Sequence, residues 1–260
     1  MVDIDSAIGY VVARGDAVDR ARLSFLRTGV TPSEEIIHHV EAGQTAAGGW
    51  PAQWGGDVPS IDATCYRLAE LDDLDGLSRR SAVQALEWLA GRQRLDGQWE
   101  EDATLADAAP PWARPGDPEA RFYLTANAAF WLGVASPEAY DVALTRAAHA
   151  ILDGLDDSGG WPGFLISGWL AGAVLQRAEY FYEAARIFVL LGQRVGTMSA
   201  ADTAWMTAAL RRVGVAADDP LMVAARQRLS ETQRPDGGWP SDDSPAFDVH
   251  VTLTALRAIR

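Results

Sequence analysis

Two short stretches of this sequence bring together side chains able to move a proton or hold a metal. One is Ser60-Ile61-Asp62-Ala63-Thr64-Cys65, directly after Pro59; the other is Asp248-Val249-His250-Val251-Thr252. Asp62 and Cys65 are three residues apart, which puts them on one face of a helix. Zinc accepts Asp, Cys and His alike, so Asp62, Cys65 and His250 make one conceivable ligand set. Asp62 and His250 also suit acid–base chemistry. An aspartic acid in an apolar pocket keeps its proton because desolvation disfavours the anion, and a neighbouring His could orient it. Against both stands a plainer role for an Asp just after Pro59-Ser60, which is to cap its helix.

What must position these groups is a repeat. Gly48-Gly49-Trp50-Pro51, Gly159-Gly160-Trp161-Pro162 and Gly237-Gly238-Trp239-Pro240 are identical, and Asp96-Gly97-Gln98-Trp99 is a looser copy. Apolar residues at three- and four-residue spacing precede each copy and follow most of them, so the unit is helix, Gly-Trp turn, helix. The spacing predicts helices over 1–29 (one or two), 33–43, 61–71, 78–93, 121–132, 137–152, 164–175, 178–191, 200–213, 221–233 and 248–260. The 164–191 unit has lost its Gly-Trp. Asp72-Asp73-Leu74-Asp75-Gly76 reads as a solvated turn, and residues 100–118, with several Pro and Asp, as a long loop of the kind that often forms a lid or binding surface. No credible strand pair appears. Units of about 45 residues would build six antiparallel helix pairs, either an open superhelix or a closed ring. The first and last Gly-Gly-Trp-Pro units are the best preserved, whereas an open array usually ends in atypical caps, so closure is favoured.

Composition narrows the functions. The chain has 260 residues and a formal charge of -14, which argues against nucleic acid or an anionic membrane as partner. One cysteine, Cys65, excludes an internal disulfide framework and a four-thiolate zinc site. Met1-Val2-Asp3-Ile4-Asp5 lacks the basic and apolar regions of a secretory signal, and no apolar run approaches membrane-spanning length. The expectation is a reduced, cytoplasmic protein forming one domain over 1–260, with 1–30 packing on or completing the ring.

Gln93-Arg94-Leu95-Asp96-Gly97-Gln98-Trp99 and Gln233-Arg234-Pro235-Asp236-Gly237-Gly238-Trp239 resemble the QW motif of squalene–hopene cyclases and other protonation-initiated (class II) terpene cyclases. The repeat is shared with protein prenyltransferase β-subunits, and the resemblance covers roughly residues 35–260. It implies an all-α (α/α)6 barrel with inner and outer helical rings, in which Gln and Trp brace the outer helix ends. Trp50, Trp99, Trp161 and Trp239 are then structural, and the helices after each turn are inner ones whose first residues face a pocket. The family's acid is the middle Asp of Asp-x-Asp-Asp-Thr. Asp62 occupies that place, although Ser60 and Ala63 stand where the other two acids would be, and His250 occupies the same column in the last unit. Tyr66, Phe122, Tyr123, Trp131, Trp169 and Trp205 are the candidate aromatic lining. The resemblance implies no cofactor and an apolar polyprenyl or terpenoid substrate, cyclised or isomerised with Asp62 as general acid and His250 as its partner. Two other readings stay open: a non-catalytic binding or scaffold barrel, and a zinc enzyme of the prenyltransferase kind using Asp62, Cys65 and His250, whose family spacing Asp-x-Cys is not met. Class II cyclases normally close the site with a second helical domain; a homodimer or the 100–118 loop would have to replace it.

Overall fold

The structure, a computed structural model, describes residues 1–52, 54 and 56–260. Among the described residues it is all-α, with twelve α-helices and no strand beyond an isolated bridge between Pro51 and Pro59. In chain order these are α1 (Ile4–Arg14), α2 (Ala17–Thr28), α3 (Glu34–Glu41), α4 (Ile61–Asp72), α5 (Arg80–Gly91), α6 (Pro118–Ala135), α7 (Asp141–Gly154), α8 (Leu165–Arg177), α9 (Phe181–Arg194), α10 (Ala200–Arg212), α11 (Pro220–Thr232) and α12 (Asp248–Ile259). No helix among the described residues is long and apolar enough to cross a membrane.

Two compact units are present. The first comprises Met1–Ile36 with Phe188–Arg260, the second Ile37–Ile187. In the first, α12 packs against α10 and also against α1 and α2, so the N-terminal helices belong to the same body as the last one. Ala7, Val11, Leu23, Ala204, Trp239 and Leu256 lie in its core. In the second, α6 packs against α4, α5, α7 and α8. Its residues from Phe122 to Gly133 are all buried, the mark of a helix enclosed on every side.

The Gly-Trp turns explain how the helices keep register. Gln93 Nε2 donates to Gly97 O within its own turn (3.0 Å) and to Ala143 O of α7 (2.8 Å). Gln44 does the same with Gly48 O (2.6 Å) and Ser81 O of α5 (2.7 Å), and Gln233 with Gly237 O (3.0 Å) and Asp3 O, at the cap of α1 (2.8 Å). Each turn is thus tied to the helix beyond the next, and for the last turn that helix is α1. The indole N–H of Trp99 and Trp239 donates back to the preceding helix, at Leu89 O (2.7 Å) and Leu229 O (2.8 Å); that of Trp50 reaches Glu41 O and Ala42 O (both 3.3 Å). Gly97 must be glycine on two counts: its φ is 82°, and a Cβ would meet Arg146 O at 2.5 Å. Replacing Gln93 with Ala strands two carbonyls and is expected to cost about 1–3 kcal/mol, read from the urea midpoint.

Trp161 departs from the expected bracing role. Leu155 stands where the other turns have Gln, and the half-buried indole donates forward to Phe164 O (2.9 Å) instead of back to its preceding helix. Its ring lies over Gly168 of α8, where a Cβ would meet Trp161 Cε2 at 2.2 Å. Without the glutamine clamp, the ring has settled on the following helix.

Candidate acid site

The backbone N–H of each bracing tryptophan donates to a threonine hydroxyl on the helix that follows its turn. Trp50 donates to Thr64, Trp99 to Thr125 and Trp239 to Thr252, each at 3.0 Å. Each threonine in turn donates to the carbonyl four residues back, at Ser60, Arg121 and Asp248, all at 2.7 Å. Both ends of each contact are fixed, so the residue two before each threonine is presented in the same register on its helix. Those residues are Asp62, Tyr123 and His250.

Asp62 lies in the first turn of α4, which Ser60 caps through its hydroxyl, accepting from Ala63 N at 3.1 Å and leaving the Asp62 carboxylate out of the capping role. The plain capping expectation for Asp62 is therefore not met. Its Oδ1 accepts from the Tyr123 hydroxyl at 2.8 Å, and its Oδ2 from the Trp112 indole N–H at 3.2 Å. The Tyr123 hydroxyl itself accepts from Asn127 Nδ2 at 3.1 Å, one turn along α6. Asp62 is half-buried. Desolvation pushes its carboxyl above the ordinary aspartate value, against the pull of the Tyr123 and Trp112 hydrogen bonds.

A second carboxylate lies close by. Glu101, buried at the start of the long loop, accepts from the Ser60 hydroxyl (2.7 Å), Ile61 N (2.9 Å) and Asp62 N (3.0 Å). A negative group suits the N-terminal end of α4. Burial raises its pKa, and the Asp62 charge adds to that. Cys65 is fully buried; desolvation, then the charges of Asp62 and Glu101, push its thiol well up, which opposes the thiolate that zinc binding needs. Among the described residues no three His, Cys, Asp or Glu side chains are grouped to hold a metal ion.

The raised Asp62 carboxyl has a consequence for stability. An acid whose folded value exceeds its unfolded one gives up its proton more readily in the unfolded chain, so stability is lost as pH rises from the ordinary 3.8 through the folded value. Asp62→Asn removes that loss. Its urea midpoint relative to wild type is therefore expected to improve as pH rises above the ordinary aspartate value; a difference that is flat or falls as pH rises contradicts a desolvated acid.

The other sequence-predicted residues are spread more widely. His250 sits half-buried in the first unit, where Arg22 donates to its Nδ1 at 3.0 Å and the Trp205 ring meets it edge-on at 6.3 Å between centroids. An arginine only donates, so Nδ1 is the acceptor and the ring proton is on Nε2. Trp205 and Tyr66 keep exposed surface. Phe122, Trp131 and Trp169 are buried, Phe122 against Gly154 and Trp131 edge-on to Phe130. Tyr123, expected as lining, is a hydrogen-bond partner of the acid.

The all-helical fold is similar to that of solved type II terpene cyclases. The type II terpene cyclase MstE from Scytonema has 14% sequence identity to this chain with a TM-score of 0.65, over 98% of this chain and 95% of that one. A variant of MstE solved in complex with geranylgeranyl dihydroxybenzoate, described as its substrate, gives 14% identity and a TM-score of 0.61 over the same shares. A protein from Actinoplanes has 18% identity and a TM-score of 0.65, over 98% of this chain and 97% of that one. No protein-family model matches the chain, and no curated protein matches it in sequence.

Proposed function

We propose that the chain is a protonation-initiated cyclase or isomerase of an apolar polyprenyl substrate, with Asp62 as the general acid. The observation that carries this is the Asp62 site: a desolvated carboxyl in the register set by the Trp50–Thr64 contact, held by a tyrosine and a tryptophan. In the reaction, the Asp62 proton passes to a terminal alkene carbon, leaving a carboxylate and a tertiary cation. Tyr123 stabilises that carboxylate by donating to its Oδ1, and aromatic faces shield the cation. Each internal alkene then gives its π electrons to the cation, forming one C–C bond per closure, and the final cation loses a proton to water while Asp62 is reprotonated from solvent. The fold likeness to a cyclase solved with a geranylgeranyl compound supports a long polyene as the class of substrate.

His250, in the same register on α12, is kept as the second candidate residue; the reading itself rests on α4, α6 and the loop between α5 and α6. The (α/α)6 barrel that the sequence resemblance implies belongs to the same proposal. The zinc reading is not carried forward. Incubating wild type and Asp62→Asn with geranylgeraniol and its aryl conjugates tests the proposal, and equal turnover by both removes Asp62 as the proton donor.

A further inference from the structure

The two oxygens of Asp62 are not equivalent. Oδ1 is engaged by Tyr123, which is buried and already fixed by Asn127. Oδ2 is engaged by Trp112, whose side chain is 43% exposed. A proton delivered to a substrate must therefore leave from Oδ2. An indole N–H can only donate, so it occupies the position from which Oδ2 would present that proton.

The loop that carries Trp112 is anchored on both sides of it. Upstream, Glu100 takes Arg94 (2.6 Å), Arg121 (3.0 Å) and Gly116 N (2.7 Å), while Glu101 is bound to the start of α4. Leu105 and Ala109 are buried before Trp112, and Ala113 directly after it; the short 3-10 turn Pro111–Ala113 packs on α6. Pro110 and Pro111 fix their own φ angles. The backbone is held and the indole is the exposed part.

We propose that Trp112 is the specificity-determining gate of the acid site: its indole covers Asp62, and rotation of that one side chain, with the loop backbone in place, admits an apolar ligand to Oδ2. The inference rests on Asp62 being the acid. It selects for apolar alkenes, because a polar or charged group offered to Oδ2 must replace an aromatic surface as well as a hydrogen bond, whereas a polyene end packs against the displaced ring.

The test needs no substrate. Dicyclohexylcarbodiimide, an apolar reagent for protonated carboxyls, is applied to wild type, Trp112→Phe and Trp112→Ala, and labelling at Asp62 is followed by peptide mass spectrometry. Circular dichroism confirms that each variant is folded. Trp112→Ala is expected to label about tenfold faster than wild type, and Trp112→Phe, which keeps the ring and loses the N–H, to fall between them. Equal rates in the three proteins, including no labelling in any, overturn the gate. Rapid amide exchange across 103–113 in wild type would also overturn it, since the loop itself would then open. Neither outcome touches the acid assignment, which is decided by the turnover of Asp62→Asn.

Discussion

Asp62→Asn is expected to lower kcat on a cyclisable polyene by about 10²- to 10⁴-fold while leaving KM nearly unchanged. Asparagine keeps the size of the side chain and an oxygen for Tyr123, so binding surface is preserved. What is lost is a proton that can be given to carbon, a contribution made only in the transition state, and such losses appear in kcat. Tyr123→Phe is expected to be milder, because the carboxyl proton itself is still there to be given. The order matters as much as the size. A Tyr123→Phe loss equal to or larger than that of Asp62→Asn would make the phenol, not the carboxyl, the group the reaction depends on.

Trp99→Ala is expected to cost about 3–5 kcal/mol, against a total stability of about 5–15 kcal/mol for a domain. The side chain is fully buried, so truncation leaves a large cavity. It also removes the indole hydrogen bond to Leu89 O at 2.7 Å. The control is Trp161→Ala. That ring is half-buried and belongs to the turn without a glutamine clamp, so the loss should be nearer to about 1 kcal/mol. Equal denaturant midpoints for the two variants would mean that Trp99 contributes burial alone and the clamp adds nothing.

Helix order was readable from apolar spacing, and the departures have local causes. α6 starts at Pro118 rather than 121 because Asp117 caps it and Pro occupies the first helical position, a signal that the surrounding loop composition masked. α9 starts at Phe181 rather than 178 because Glu179 adopts a left-handed φ of 65°, which interrupts the helix. At the site, the position of Asp62 followed from its distance after the turn. Tyr123 could be seen as aromatic, but its hydroxyl contact is made across sixty-one residues and no local pattern encodes it. Glu101 and Trp112 were missed for the same reason. They reach α4 from an aperiodic loop, and the only sign of them was that a long loop stood there at all.

The Trp-to-Thr contact divides each unit into a part that must stay and a part that is free to change. Glutamine, glycine, tryptophan and threonine fix the backbone; the side chain two places before the threonine contributes nothing to that fixing. In this chain the three such sockets hold a carboxylic acid, a phenol and an imidazole. A new reactive group can be fitted to any one of them by a single substitution, with the scaffold's own instructions left unaltered.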